Sequence, residues 1–343
     1  MSSSSVGIDI GATGVRIAET TTKGGHVTVR RYAEQPLPLG AVKAGTVLEP
    51  RVVSTMLRAL WKQHRFGTRH VSLGTTSGQL AVRQITLPEL SPKELRASLP
   101  YLVGDVVPLP PEKAVMDFLP TGEGSRAKTV DGLVVAIPKD GVLSLVDAVQ
   151  EAGLDVIGVD LDAFALLRLL AGQSDPRRTG ALIDFGASTT TVMVHRGGTP
   201  LLVRVIARGS EDVTHGISER LGVSREQAEA SKHMLALGLE EEAAVQEAAM
   251  DALRPILGDV RSSLAYFRSG NPDQPLERIQ VAGGGSHLDG LLNALSIQQE
   301  VPVVIADPYR SLTREAGTDE HGMGGTAGAV AVGLTIGGTN VHA

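Results

Sequence analysis

Asp9 and Asp184 stand about half the chain apart, each near the end of an apolar run that opens onto glycine and small residues. The first stretch reads Gly7-Ile8-Asp9-Ile10-Gly11-Ala12-Thr13-Gly14-Val15-Arg16-Ile17. The second reads Leu182-Ile183-Asp184-Phe185-Gly186-Ala187-Ser188-Thr189-Thr190-Thr191-Val192. A phosphate chain with Mg²⁺ needs backbone N–H donors at close range and carboxylates to hold metal-bound waters. Gly11-Ala12-Thr13-Gly14 and Gly186-Ala187-Ser188-Thr189 are the expected donors, and Asp9 and Asp184 the expected carboxylates. One such stretch is equally well an ordinary glycine-bearing hairpin. Two, each followed by the same order of elements, point to a duplicated unit that grips one phosphate chain from both sides. A third segment, Ile279-Gln280-Val281-Ala282-Gly283-Gly284-Gly285-Ser286, puts three glycines between a strand and a helix. A flat ring can approach such a backbone, and the helix start faces a nearby phosphate. It lacks the spacing of a dinucleotide fingerprint.

The elements that must carry these residues repeat. After Asp9, alternation predicts strands over 14–19 and 26–32 around Thr22-Lys23-Gly24-Gly25, then a helix from Pro50 and a strand over 70–73. After Asp184 come strands over 190–195 and 201–207 and a helix over 211–221. Two segments interrupt this pattern. Between about 80 and 130 a strand (81–87), a helix capped by Ser91-Pro92-Lys93-Glu94, a proline cluster (108–111), a strand (114–119) and a polar loop (122–129) read as a small insertion. Helices over 227–237 and 240–268 form the second. The expected division is 1–79 and 131–172 for the first half, with a closing helix over 326–336. The second half is 178–224 and 277–325, the small insertion 80–130, and the helical insertion 225–276. Residues 172–180 read as the hinge, and 337–343 as a frayed end.

Composition sets the outer bounds. A chain of 343 residues is long enough for two domains with sizeable cores. It has no cysteine, which excludes disulfides and thiolate chemistry and fits a reducing compartment. Its net charge of −6 argues against general nucleic-acid binding. No apolar run approaches the roughly 20 residues of a membrane span, and no signal peptide is expected at the start.

Two Asp-Gly phosphate motifs and a later glycine triplet resemble the actin-like ATPase superfamily, and within it the PilM family of type IV pilus assembly proteins. Arg83-Gln84-Ile85-Thr86-Leu87-Pro88 with Ser91–Leu95, the stretch from Tyr101 to Pro110, Asp184–Val192 and Gly209-Ser210-Glu211-Asp212-Val213-Thr214 carry the closer likeness. The resemblance implies an α/β actin-like ATPase fold of two duplicated RNase H-like halves with small inserted subdomains. It implies ATP or ADP with Mg²⁺ as cofactors. Asp9, Gly11, Ala12, Thr13, Gly14 and Arg16 would hold the nucleotide from one side, and Asp184, Gly186, Ala187, Ser188 and Thr189 from the other. Gly283, Gly284, Gly285 and Ser286 would meet the adenosine, and Asp9 and Asp184 would hold Mg²⁺ through water. Glu229 and Lys232, three apart on one helix face, match positions where relatives reach the ribose and base. Without the resemblance they read as an exposed intrahelical ion pair.

Relatives that hydrolyse ATP well carry Gln or Glu just before the helix at Ala163. Here the aligned place falls near Leu161, with Asp160 and Asp162 beside it as the candidate catalytic carboxylates. Both are shorter, so the expectation is ATP binding with slow or negligible turnover. Arg16 stands where PilM proteins often have Lys, which keeps the charge but not the geometry. The implied function is a cytoplasmic scaffold at the inner face of the membrane. It docks the N-terminal cytoplasmic tail of a PilN-like membrane protein between the first half and the insertion, where Leu87, Leu90, Leu95, Leu99 and Val103 either contribute to the groove or only fill the insertion's own core. Other pilus components are further expected partners. Two alternatives remain: a small-molecule kinase using Asp160 or Asp162 as base, and an FtsA-like division protein. FtsA ends in a basic amphipathic membrane helix, a pattern not seen in 337–343.

Overall fold

The computed structural model describes residues 3–124, 127–171, 175, 177–239, 242–315 and 322–337. The expected frayed end therefore lies outside the described residues from 338 onward, as do 172–174 and 176 of the expected hinge, 125–126 of the polar loop and the first residues of the helix expected from 240.

The chain opens with β1 (Ser3–Ile10), β2 (Gly14–Lys23) and β3 (His26–Pro36), an antiparallel meander. A small hairpin, β4 (Val42–Lys43) and β5 (Thr46–Val47), precedes α1 (Pro50–His64). Pro50 suits the first turn of α1, where no N–H is needed. The helix crosses over to β6 (His70–Thr75), parallel to β1. The insertion then holds β7 (Ala81–Pro88), α2 (Pro92–Leu102), β8 (Ala114–Glu123) and β9 (Thr129–Pro138). The Ser91 hydroxyl accepts from the Glu94 amide, and the Glu94 carboxylate accepts from the Ser91 amide, which fixes the start of α2. The chain returns through α3 (Lys139–Glu151) to β10 (Asp155–Leu161), parallel to β6, and α4 (Asp162–Ala171).

The second half repeats the plan with β11 (Thr179–Phe185), β12 (Thr190–Arg196) and β13 (Thr199–Ile206). Then come α5 (Ser210–Leu221), α6 (Arg225–Ala236) and α7 (Ala243–Gly270), followed by β14 (Leu276–Ala282), α8 (Leu291–Gln299) and β15 (Val303–Ile305). The last described elements are β16 (Thr313–Arg314), beside β3, and α9 (Ala329–Gly333). The sheets run β10-β6-β1-β2-β3, with β16 appended, and β15-β14-β11-β12-β13. Order and direction match strand for strand, so the duplication seen in two short motifs extends to whole α/β halves.

Strand alternation decides what faces the middle. In β1, Val6, Ile8 and Ile10 join an outer core with α1 and α3. In β11, Ala181, Ile183 and Phe185 join an outer core with α5, α7 and α8. Leu182 turns the other way, into a central core with α4 and α9. Asp9 and Asp184 share the inward parity, so each half presents its carboxylate to the other. Burying a side chain such as Phe185 stabilises by roughly 1.5–3 kcal/mol.

Three expectations need correction. The insertion has its own sheet, ordered β7-β9-β8, with β9 at its centre. A boundary at 130 cuts that strand, and the sheet keeps Thr129–Pro138 with the insertion. Leu87, Leu99 and Val103 are buried in the insertion's own core, so they cannot form an exposed groove. The helix expected over 326–336 is a 3₁₀ turn, Gly322–Gly328, followed by the short α9. Its glycines disfavour a longer α-helix. Among the described residues no helix is long and apolar enough to cross a membrane.

Candidate functional site

Two hairpins face one another across the cleft between the halves, built alike down to their closing bonds. The Gly11 amide donates to the Gly14 carbonyl at 3.0 Å, and the Gly186 amide donates to the Thr189 carbonyl at 2.9 Å. Outward bonds anchor both turns. The Thr13 carbonyl accepts from Leu37 N–H, and the Gly186 and Ala187 carbonyls accept from the amides of Ser210 and Glu211 at the start of α5. Among the described residues the amides of Ala12, Thr13, Ala187 and Ser188 have no protein acceptor and remain available to an anion. The cleft between the turns encloses about 260 Å³.

Three carboxylates close its floor: Asp9 from β1, Asp184 from β11 and Asp162 from the first turn of α4. Burial pushes the Asp162 carboxyl well above its ordinary range, and the charges of Asp9, Asp184 and Asp160 push it further. One of its oxygens, Oδ1, is buried without a hydrogen-bond partner. It lies so close to Gly74 that a Cβ there would sit 2.3 Å from it, so any larger residue at this point of β6 would push the Asp162 carboxyl aside. Burial, then the charge of Asp9, raises Asp184 to about 6, against the pull of Arg16. Burial also raises Asp9, although Arg16 Nη1 lies 3.5 Å from its Oδ2. Arg16 Nε stands 2.8 Å from Glu34 Oε1 but is not aligned for a hydrogen bond. Three mutually repelling carboxylates, one with an orphaned oxygen, form a donor set that fits a divalent cation. Among the described residues no three acidic or histidine side chains are arranged to ligate a metal directly, so the fit is to a cation holding its own waters.

The glycine triplet forms the far wall. Gly283 has φ +87°, and a Cβ there would meet Asp184 Oδ1 at 2.5 Å and Phe185 O at 2.6 Å. The Gly285 amide donates to the Phe185 carbonyl, locking the triplet to the end of β11. Opposite, Lys232 is buried and spends its ammonium on Ser210 O, Thr214 Oγ1 and Glu229 Oε2. Thr214 Oγ1 also donates to Glu229. Burial opposes ionisation of Glu229, but the bonds from Lys232 and Thr214 outweigh it and hold its pKa below the ordinary value. The pair is thus braced by α5 rather than free on a helix surface.

The structure brings Asp9, Gly11, Ala12, Thr13, Arg16, Asp162, Asp184, Gly186, Ala187, Ser188, Thr189, Glu229, Lys232, Gly283, Gly284 and Gly285 to one cleft. It leaves three candidates outside the lining. Gly14 sits in the strand after the first turn. Ser286 is fully buried, with its hydroxyl 2.9 Å from that of Thr326, which in turn donates to Gly283 O. Asp160 forms an ion pair with Arg168 and accepts from the Leu161 amide. Sequence reasoning missed Gly74, Thr75, Thr76, Ser210, Ala327 and Val330, all in the lining. Gly74-Thr75-Thr76 was findable: small and hydroxyl residues follow an apolar strand there, as they do after Asp9 and Asp184.

A family model described as type IV pilus assembly protein PilM matches residues 7–338. A chain of the solved PilM-PilN type IV pilus biogenesis complex is similar, with 26% identity and a TM-score of 0.85 over 96% of this chain and 97% of that one. MreB5 of Spiroplasma citri bound to AMPPNP shares the fold at 12% identity and a TM-score of 0.55, over 90% of this chain and 93% of that one. Cell division protein FtsA of Bacillus subtilis (strain 168) is 26% identical over 192 residues, 52% of this chain and 43% of that protein. FtsA of Streptococcus pneumoniae serotype 2 (strain D39 / NCTC 7466) is 22% identical over 250 residues, 66% and 54% respectively. The chain spans about half the length of these curated relatives.

Proposed function

The chain belongs to the PilM family of type IV pilus assembly proteins, and on that premise we propose that it is a nucleotide-holding scaffold of the pilus machinery. ATP or ADP occupies the cleft, its phosphates between the two hairpins and its adenosine between the glycine triplet and the α5–α6 face. Ala12, Thr13, Ala187 and Ser188 donate backbone N–H groups to the phosphates, and Arg16 adds a charged donor. Asp9, Asp162 and Asp184 would hold Mg²⁺ through its waters, and the cation would supply positive charge against their repulsion and that of the phosphates. The observation that carries this reading is the pair of hairpins with equivalent closing bonds, set opposite each other over three buried carboxylates.

Turnover is slow or absent in this reading. Asp160 is committed to Arg168, which leaves Asp162 to orient an attacking water. Its side chain is shorter than the Gln or Glu of relatives that hydrolyse ATP well, and burial and the neighbouring carboxylates raise its pKa. The partner is the N-terminal cytoplasmic tail of a PilN-like inner-membrane protein, docked between the first half and the insertion. The scaffold is held at the cytoplasmic face of the membrane through that tail and other pilus components. Nucleotide sets the angle between the halves. The insertion follows that angle because it is tied to the second half by Gln84 of β7, whose side-chain amide donates to the Leu201 carbonyl of β13 at 3.1 Å.

Isothermal titration of the metal- and nucleotide-free protein with Mg²⁺-ATP tests the core of this. The expected result is one site, with any turnover abolished by Asp162→Ala and retained by Asp160→Ala. No binding at millimolar nucleotide, or turnover that survives Asp162→Ala, overturns it.

A further inference from the structure

One row of charged side chains runs across the first sheet on its inward face. Asp9 of β1 pairs with Arg16 of β2, and Arg16 pairs with Glu34 of β3. Cross-strand neighbours stand close enough to touch, so the guanidinium lies between two carboxylates. Its Nη1 is 3.5 Å from Asp9 Oδ2, and its Nε is 2.8 Å from Glu34 Oε1. The contact with Glu34 is a charge pair rather than an aligned hydrogen bond. The same Nη1 borders the first hairpin, where a Cβ on Gly11 would stand 3.4 Å from it. Glu34 is held in turn. Its Oε2 accepts from the Tyr32 hydroxyl at 3.0 Å, and Tyr32 packs against the central core. Burial, then the charge of Glu34, raises the Tyr32 pKa, so the phenol stays protonated and goes on donating. Neither Glu34 nor Tyr32 lines the cleft.

The second half has no counterpart to this row. There Asp184 pairs with Thr191, and Thr191 with Val205. Among the described residues, two lysines or arginines line the cleft, Arg16 and Lys232. Lys232 is spent on Ser210, Thr214 and Glu229, which leaves Arg16 to meet an anion. A guanidinium meets a phosphate as a fork, so its worth depends on which edge it presents. Glu34 occupies the Nε edge, and the Nη1 side is turned to Asp9 and the hairpin. A partly exposed ion pair of this kind adds little to stability. What it fixes is direction.

We propose that Glu34, itself fixed by Tyr32, is a positioning residue that aims the Arg16 guanidinium at the nucleotide phosphates. This rests on the nucleotide reading above and gives a part in it to two residues outside the cleft. A lysine at position 16 could not be aimed in this way, because an ammonium has no edge to present.

The test is the Mg²⁺-ATP affinity of Tyr32→Phe and Glu34→Leu, each made in the wild-type protein and again in Arg16→Met. In the wild-type protein each is expected to weaken binding by roughly two- to ten-fold. With Arg16→Met there is no guanidinium to aim, and neither is expected to weaken binding further. Adenosine, which has no phosphates, is expected to bind the variants as it binds wild type. Tyr32→Phe changes no charge and loses only a hydroxyl, so it decides the matter if Glu34→Leu does not fold. Tighter ATP binding without Glu34 means that the carboxylate acts only by its charge. Equal weakening in both backgrounds, or an equal loss for adenosine, means that the two residues act only on the fold. Any of these results, or unchanged affinity in either variant, overturns the proposal and leaves the nucleotide reading intact. Wild type that binds no Mg²⁺-ATP at millimolar concentration overturns both.

Discussion

Asp184→Asn asks how much burial beside Asp9 costs the ionised carboxylate in the folded protein. Asp184 has a pKa of about 6 against an ordinary 3.8, mainly from burial and then from Asp9. A carboxyl whose folded pKa is raised binds its proton more tightly when folded. Its stabilising contribution is complete below the unfolded pKa and is lost as pH rises through about 6. The gap between 3.8 and about 6, at about 1.4 kcal/mol per pH unit, amounts to about 3 kcal/mol at neutral pH. The Asn variant cannot ionise and escapes that loss. In urea unfolding without metal or nucleotide, wild type is expected to fall by at least this amount between about pH 4 and pH 7. Asp9 and Asp162 are displaced in the same direction and add to the fall. The variant is expected to fall by about 3 kcal/mol less and to be the more stable protein at neutral pH, while binding Mg²⁺-ATP more weakly. The deciding quantity is the difference in stability between variant and wild type. A difference that stays the same from acid to neutral pH refutes the reasoning, whatever the absolute stabilities.

Two other perturbations probe the same cleft. Gly283→Ala is expected to lower unfolding free energy by about 2–3 kcal/mol or more, measured by urea midpoint. It forces a side chain onto a left-handed backbone and a Cβ against Asp184 and Phe185. Arg16→Met removes the cation beside Asp9 and a charged phosphate donor, so titration with a fluorescent ATP analogue is expected to show a loss of about 1.5–3 kcal/mol, roughly ten- to a hundred-fold. Unchanged affinity in that variant means that Arg16 serves only to hold Glu34 and Asp9.

Much of the site was legible because its chemistry is local. A turn of Gly-Ala-Thr-Gly or Gly-Ala-Ser-Thr is chosen by residues a few positions apart, and strand alternation places the preceding aspartate on one face. That is why the paired turns and the glycine triplet meet in one cleft as the sequence predicts. Ser286 was not legible, because a serine after a glycine turn reads the same whether it faces ligand or Thr326, which lies forty positions further along the chain. The insertion's end was misread for a similar reason. The run 133–137 is a fine strand by itself, and only its pairing with both β7 and β8 shows which sheet owns it.

The sequence by itself determined the elements, their duplication, and the residue types offered at each turn, since propensity, period and turn chemistry act over a few residues. Tertiary structure alone decided which acid serves the cleft. Asp160 and Asp162 share a parity that would put both on one strand face. The chain turns from β10 into α4 between them, sending Asp160 to Arg168 and Asp162 toward Asp9 and Asp184. The same packing removed Leu87, Leu99 and Val103 from the surface. Such choices depend on contacts between segments tens to hundreds of residues apart, which no local pattern encodes.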